Sequence, residues 1–393
     1  MKVLIVHNEY GAYSGEEAAV DALRSVLTER GHEAFLHTRG SREIESMRLG
    51  KTRAFLCGIY NPVSRRAMRG AIAEHRPDVI HIHNLFPFIS PSILPECRKA
   101  GVPVVMTVHN YRLICPSGLH LRNGEACTEC RGGREYRCVF RNCESDFFKS
   151  LGYALRGLAA RLLGLYRRNV SVYVALTNFQ KDRLTREGYP SDRIMVIPNI
   201  HRPAGEGAQE MEQGPGMCVG YVGRVSREKG VHVLLKAAGA LPDIPFMVAG
   251  RRGRMPELVR SAPANVEFLG HLDRDALRAF YRKIRILAAP SICWEAFPLS
   301  LPEAMHQGVP VVCSRIGGLP EIVSDGRTGL LFEPGDSDEL ARKIDFLWGR
   351  PDLCKKMGAA GREKALREYA PQAYYEKLKS VYKVAMERPI WIK

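Results

Sequence analysis

The chain has 393 residues, 45% hydrophobic and 25% charged, which is the balance of a soluble globular protein long enough for two domains. Its net charge of +16 is spread over both halves and favours anionic partners: nucleotide-sugars, phospholipid surfaces, acidic glycans or nucleic acid. No apolar run reaches the roughly 18 residues of a membrane span, and Met1–Asn8 enters a strand pattern without a leader-like apolar stretch, so a cytoplasmic protein is expected.

Residues 2–8 read as a buried parallel strand. The loop that follows contains Gly11, Gly15 and Glu16 and opens a helix through about Arg30. Strand, glycine loop and helix N-terminus together form an anion cradle, although neither a Walker nor a dinucleotide motif is present. Residues 32–37 suggest a second strand, and 40–75 are mixed. Residues 77–84 form another strand, on which His81 and His83 share a face. With no third ligand nearby, core or edge histidines are the stronger reading than a metal pair. Residues 102–111 form a strand ending in His109, an imidazole placed either to reach a ligand at the strand's lip or to pack.

Residues 112–148 are a polar, cysteine-rich insertion. The run Cys127-x2-Cys130-x7-Cys138-x4-Cys143 has the ligand number and spacing of a structural zinc site, and also of free thiols in a loop. From Phe147 to Lys181 there is no acidic residue but six basic ones: Lys149, Arg156, Arg161, Arg167, Arg168 and Lys181. Leu151, Leu155, Leu158, Leu162, Leu165 and Tyr166 recur there at helical spacing. Such a helix either packs its apolar stripe into the core or lies on an anionic membrane; core packing is the expectation. Residues 170–177 and 192–199 complete the strands of a first domain, 1–200. A linker rich in Pro, Gly, Glu and Gln covers 201–216. A second domain covers 217–369, and a last helix over about 370–387, in the terminal segment 370–393, is expected to cross back to the first.

The second domain restarts with strand, glycine loop and helix at Cys218–Gly230, now with two cations. Arg224 offers a fork and Lys229 a compact charge to a diphosphate. Strands follow at 245–250 and 265–272, then a helix over 274–283. Residues 285–291 are a buried strand, after which comes Glu295-Ala-Phe-Pro-Leu-Ser-Leu-Pro-Glu303. Glu295 falls at the C-terminal edge of that strand, where open α/β sheets bind ligands. Glu303 falls near the start of the next helix. Carboxylates suit vicinal hydroxyls, and backbone N–H groups around Phe297, Pro298 and Leu299 suit a phosphate. The plainer reading is a solvated loop acid and a helix-start charge.

Glu295-x7-Glu303 is followed by Gly308-Val-Pro-Val-Val, Gly317-Gly-Leu-Pro-Glu321-Ile-Val and Asp325-Gly-Arg-Thr-Gly329-Leu-Leu-Phe. This run of about 45 residues resembles the donor half of the family 4 (GT4) retaining glycosyltransferases. Gly223-Arg224-x4-Lys229-Gly230 resembles their pyrophosphate clamp, and Thr107-x-His109-Asn110 the context of their active-site histidine. The resemblance implies the GT-B fold: α/β, two Rossmann-like doubly wound parallel-sheet domains facing across a cleft. It implies transfer of a sugar from a nucleoside diphosphate donor, UDP-GlcNAc or UDP-glucose by family prevalence, to a hydroxyl of a glycan, lipid-linked glycan or small polyol. In that reading Arg224 and Lys229 neutralise the diphosphate and Glu303 holds the ribose. Glu295 and His109 engage the donor sugar, and the Gly15-Glu16 loop closes over the phosphates. No cofactor or catalytic metal is required. Pro298 stands where many members carry glycine, and Glu16 where many have a second glycine. A nucleotide-sugar epimerase on the same fold and a basic nucleic-acid-binding protein are the alternatives. The paired clamp and acids argue against the first, and the absence of a nucleic-acid-binding motif against the second. Peripheral contact with an anionic membrane at the inner face fits the basic helix.

Overall fold

A computed structural model describes residues 1–10, 13–40, 43, 50–201, 216–251, 253 and 255–388. Most of the expected linker lies outside them, as do Gly11, Arg252, Arg254 and residues 389–393. The chain forms two units. One takes the residues up to His120, Thr128–Ile200 and the segment from Pro371; the other takes Leu121–Cys127 and His201–Ala370. Residues 121–127 therefore leave the unit that flanks them in sequence.

The first unit is built on a six-stranded parallel sheet. Its strands are β1 (Lys2–Glu9), β2 (Glu33–Gly40), β3 (Val79–Ile82), β4 (Val104–Thr107), β7 (Val172–Ala175) and β8 (Ile194–Val196), in spatial order β2-β1-β3-β4-β7-β8. A two-stranded hairpin, β5 (Leu121–Arg122) with β6 (Glu125–Ala126), falls between β4 and β7 in the chain. The central strands are apolar at nearly every position because helices cover both faces. Along β1, Leu4 and Val6 face a core with Ile80 and Ile82. Val3 and Ile5 face the opposite core with Val79, Val105 and the helix Gly15–Glu29. That second core also receives Tyr374, Leu378, Val381, Tyr382 and Ala385 from the helix Pro371–Glu387.

The second unit repeats the design. Strands β9 (Cys218–Val222), β10 (Phe246–Ala249), β11 (Val266–Gly270), β12 (Ile284–Ala289), β13 (Val311–Ser314) and β14 (Gly329–Phe332) lie in the order β11-β10-β9-β12-β13-β14, all parallel. Both sheets reverse winding direction beside their first strand: between β1 and β3, and between β9 and β12. At such switch points the loops leaving the strands' carboxyl ends splay apart and leave room for a ligand.

Two expectations for the basic segment need correction. The helix runs Phe147–Leu162, capped by Asp146, so Leu165 and Tyr166 lie beyond its end, where both are buried. Gly164, at φ 62°, ends the run. The helix also does not bury its leucines. It buries Ser150, Ala154, Arg156 and Ala160, while Leu155 and Leu162 are exposed. Small side chains allow close approach on the inner side: Gly152 sits against the Phe55 ring of the helix Gly50–Ile59. Arg156 is held inside by the faces of Phe86 and Tyr153, 3.6 and 4.6 Å from their ring centres.

Candidate active site

The loop leaving β9 carries Arg224 and Lys229 and ends at Gly230, which starts the helix Val231–Gly239 with φ 71°. A side chain on Gly230 would place Cβ 1.7 Å from the Pro290 carbonyl oxygen at the end of β12. Glycine is thus required both for its backbone angle and for the approach. The Ile292 amide donates to the Glu228 carbonyl at 3.0 Å, joining the two loops. Across this junction Lys229 Nζ donates to Glu295 Oε1 at 2.6 Å, and Ser291 Oγ donates to the same oxygen at 2.6 Å. The third loop, after β13, closes on Glu295 from behind. Gly318 N–H donates to its carbonyl at 2.9 Å, and Gly317, at φ 61°, leaves no room for a Cβ beside its backbone.

Glu295 is 8% exposed and Lys229 is half-buried. Burial pushes the Glu295 carboxyl up, but the Lys229 ammonium and the hydrogen bonds outweigh it, and the group is held below the usual carboxylate range. Burial lowers the Lys229 ammonium and the Glu295 carboxylate raises it, with a net rise. The site therefore holds a charged pair, not a neutral one. Arg224 is exposed and lies 3.2 Å from Glu228, and its charge also reaches Glu295.

Glu303 stands apart from this pair. It lies in the first turn of the helix Ser300–His306 and accepts from the Tyr281 hydroxyl at 2.8 Å. Burial raises its pKa to about 7 against a partial offset from Tyr281 and Arg274. Phe297 is buried with its ring against Tyr369, centroids 5.2 Å apart, so only its backbone faces the loop. Pro298 and Leu299 are half-buried, and the helix they lead into has no side-chain N-cap. Two Asp-x-Asp triplets, at 273–275 and 336–338, open helices: Asp273 and Asp336 accept from backbone N–H groups as N-caps.

In the first unit the predicted residues gather at the β1–β3 switch point. Gly15 is the exposed first residue of its helix, and Glu16 Oε1 accepts from Asn110 Nδ2 at 3.0 Å. His109, half-buried beside Asn110, has Nε2 2.7 Å from His83 Nδ1, and the two rings stack. His83 in turn stacks on His81, and His7 meets His83 edge-on. His81 is fully buried between the Tyr382 and Thr107 hydroxyls, each 2.8 Å away, so it is a core histidine. Burial lowers the pKa of His109, with Glu16 opposing, and lowers His83 well below the usual range.

Glu17, which the sequence reading passed over, anchors the loop before the helix. It accepts from the backbone N–H groups of Tyr10 (2.7 Å) and Ser14 (2.9 Å) and from the Ser14 hydroxyl, and burial is outweighed so that its pKa falls to about 2. The Ser14-x-x-Glu17 capping box was the available signal. Arg112 and Tyr10 complete the rim, hydrogen-bonded at 3.1 Å. Of the cysteines proposed as zinc ligands, Cys138 is buried, and a hydrogen bond with Cys143 and burial raise its thiol pKa. Among the described residues no group of three or more His, Cys, Asp or Glu side chains is arranged to hold a metal ion.

Two family models divide the chain: Glycosyltransferase Family 4 matches residues 13–201 and Glycosyl transferases group 1 matches residues 209–364. The chain belongs to the family 4 glycosyltransferases. An uncharacterized 42.6 kDa protein in the cps region of Klebsiella pneumoniae is 23% identical over 82% of this chain and 87% of its own length. The D-inositol 3-phosphate glycosyltransferase of Corynebacterium urealyticum is 35% identical, over 39% of this chain and 38% of its own length. Among solved structures, Anabaena HepE in complex with UDP and glucose matches with a TM-score of 0.69 at 17% identity, over 98% of this chain and 99% of that one. The two parallel-sheet units and these likenesses make this glycosyltransferase a GT-B fold.

Proposed function

We propose that this glycosyltransferase moves a sugar from a UDP-linked donor, with retention at the anomeric carbon, to a hydroxyl of a glycan, lipid-linked glycan or small polyol. The observation that carries the reading is the Lys229–Glu295 pair, 2.6 Å apart, at the switch point of the second sheet. An ammonium already held at that lip is a ready counter-charge for a departing diphosphate. Arg224, exposed on the same loop, adds a fork for the phosphate oxygens. Glu295 offers its carboxylate to donor-sugar hydroxyls. Glu303 accepts from the ribose hydroxyls, and backbone N–H groups around Phe297 and Leu299 assist the phosphates. The family resemblance assigns His109 to the donor sugar and the Gly15-Glu16 loop to the phosphates. The solved Anabaena neighbour, with UDP and glucose bound, supports uridine as the base.

A thermal-shift screen against UDP, GDP, ADP and dTDP tests this. UDP at a hundred times its Kd adds about 2.7 kcal/mol to stability and should raise Tm by several degrees, an effect lost in Arg224→Ala and Glu303→Ala. A larger shift with another diphosphate would reassign the base. No shift with any would remove the donor-site reading.

A further inference from the structure

The Phe147–Leu162 helix presents the wrong side to solvent for a core-packed helix. Phe148, Leu155 and Leu162 are spaced seven apart, so they form one line along the helix, and they are 74%, 36% and 65% exposed. Leu151, Leu158 and Ala159 fill the positions between them, each half-buried. No charged residue falls on this face. The helix's one buried cation, Arg156, is turned to the inner side, where it stacks on Phe86. The neighbouring short helix Tyr136–Phe140, which packs on this one, carries Phe140 at 82% exposure, and Leu163, just past the helix end, is 62% exposed. A contiguous exposed apolar surface of this kind marks a binding face.

The charges around it narrow the occupant. Lys149 and Arg161 flank the apolar line and are paired with Glu144 at 2.5 Å and Glu135 at 2.6 Å. Past the helix end, Arg98, Lys99 and Arg168 line an open groove of about 590 Å³ whose apolar wall is Leu163 and Leu165. No acidic residue occurs between Phe147 and Lys181. Cations gathered where an apolar stripe ends match a phosphodiester above its acyl chains. No described helix is long and apolar enough to cross a membrane.

We infer that the outer face of the Phe147–Leu162 helix docks on an anionic phospholipid surface, with Phe148, Leu155 and Leu162 entering the acyl boundary and Arg98, Lys99 and Arg168 taking lipid phosphate. The inference does not depend on the donor reading, because none of these residues belongs to the proposed donor site.

The test is co-sedimentation of the full chain with vesicles of phosphatidylcholine alone or mixed with phosphatidylglycerol. The wild type should pellet with the mixed vesicles and far less with phosphatidylcholine. Phe148→Ser/Leu155→Gln/Leu162→Gln should lower partitioning at least about tenfold. Arg98→Glu/Arg168→Glu should lower it by a similar factor, as should high salt. Circular dichroism and the nucleotide thermal shift check that the variants fold. As a second readout that leaves the face apolar, Phe148→Trp should show a blue-shifted difference emission on adding mixed vesicles. A wild type that stays in solution, or a triple variant that pellets equally, overturns the proposal. So does a dimer in sedimentation velocity that the triple variant dissociates, which would assign the face to a second copy.

Discussion

Glu295 and Lys229 illustrate how far single residues commit this molecule. A carboxylate 8% exposed is tolerable because an ammonium and a hydroxyl both donate to it. Lys229→Met removes the ammonium that compensates the buried Glu295 carboxylate, which should cost about 3 kcal/mol in urea unfolding. Adding Glu295→Gln should recover most of that loss while leaving nucleotide binding weakened, since stability and function then separate. Glu303 behaves oppositely. Its native pKa is raised to about 7 from 4.5, so the native state holds a proton that the unfolded state has released between those values. Stability from this group is full below pH 4.5 and is lost as pH rises through 7. Glu303→Gln should therefore stabilise the ligand-free protein at pH 8 by roughly 1 kcal/mol, after allowance for partial exposure. The same variant should flatten any rise in UDP-induced thermal shift between pH 6 and 8, if the ionised carboxylate holds the ribose. The spacing Glu295-x7-Glu303 made both acids visible in the sequence. Their partners Ser291 and Tyr281 were not, because a serine after a strand and a tyrosine in a helix carry no pattern pointing to a carboxylate.

At the level of elements, strands and their exit loops were legible because continuous apolar runs ended by glycine have one economical reading in an α/β chain. The Gly230 turn is the point where that reading meets hard geometry. Gly230→Ala would set Cβ against the Pro290 carbonyl at a positive φ, and should cost at least about 2 kcal/mol. Because the displaced loop carries Lys229, nucleotide-induced stabilisation should fall with it, measured in the same thermal-shift assay. The Phe147–Leu162 helix was legible as a helix but not in its orientation. Periodicity reports which residues share a face, and the apolar face was assumed to point inward. Two glycines and Ala154 and Ala160 on or beside the inner side were the missed signal, since small residues permit the close packing seen against Phe55. The histidines on adjoining strands form a second element-scale feature. Burial lowers His81 to about 3, holds His83 well below the usual imidazole range, and shifts His109 in the same direction. The unfolded chain takes up protons at these sites below about pH 6.5 while the native chain does not. Their stabilisation is thus complete above that pH and is lost as pH falls toward the native values. Urea titrations at pH 7, 6 and 5 should show falling stability, by up to about 1.4 kcal/mol per pH unit per histidine, with Glu303 opposing and His201, also lowered to about 3, adding to the fall. His83→Asn should reduce the slope by about one proton.

For the whole molecule, the decisive feature is that chain order and folding unit do not coincide. The segment from Pro371 follows the second unit in sequence, yet it supplies Tyr374, Leu378, Val381, Tyr382 and Ala385 to the core of the first. Tyr382 also bonds the buried His81 at 2.8 Å. Burial of the four larger side chains is worth about 1.5–3 kcal/mol each, a sum comparable with the 5–15 kcal/mol net stability of a typical domain. Ending the chain at Ala370 should therefore unfold the first unit, exposing Val3, Ile5 and Val105 and leaving His81 without the Tyr382 hydroxyl. The second unit's core, from Val219 to Met357, takes none of its members from that segment, and Lys229, Glu295 and Glu303 all lie within it. Limited proteolysis of the shortened chain should leave a resistant fragment beginning near Met217, and UDP should still raise that fragment's melting temperature. Loss of both units together would show that their stabilities are not separable. Survival of the first unit would show that the other helices suffice to close its sheet.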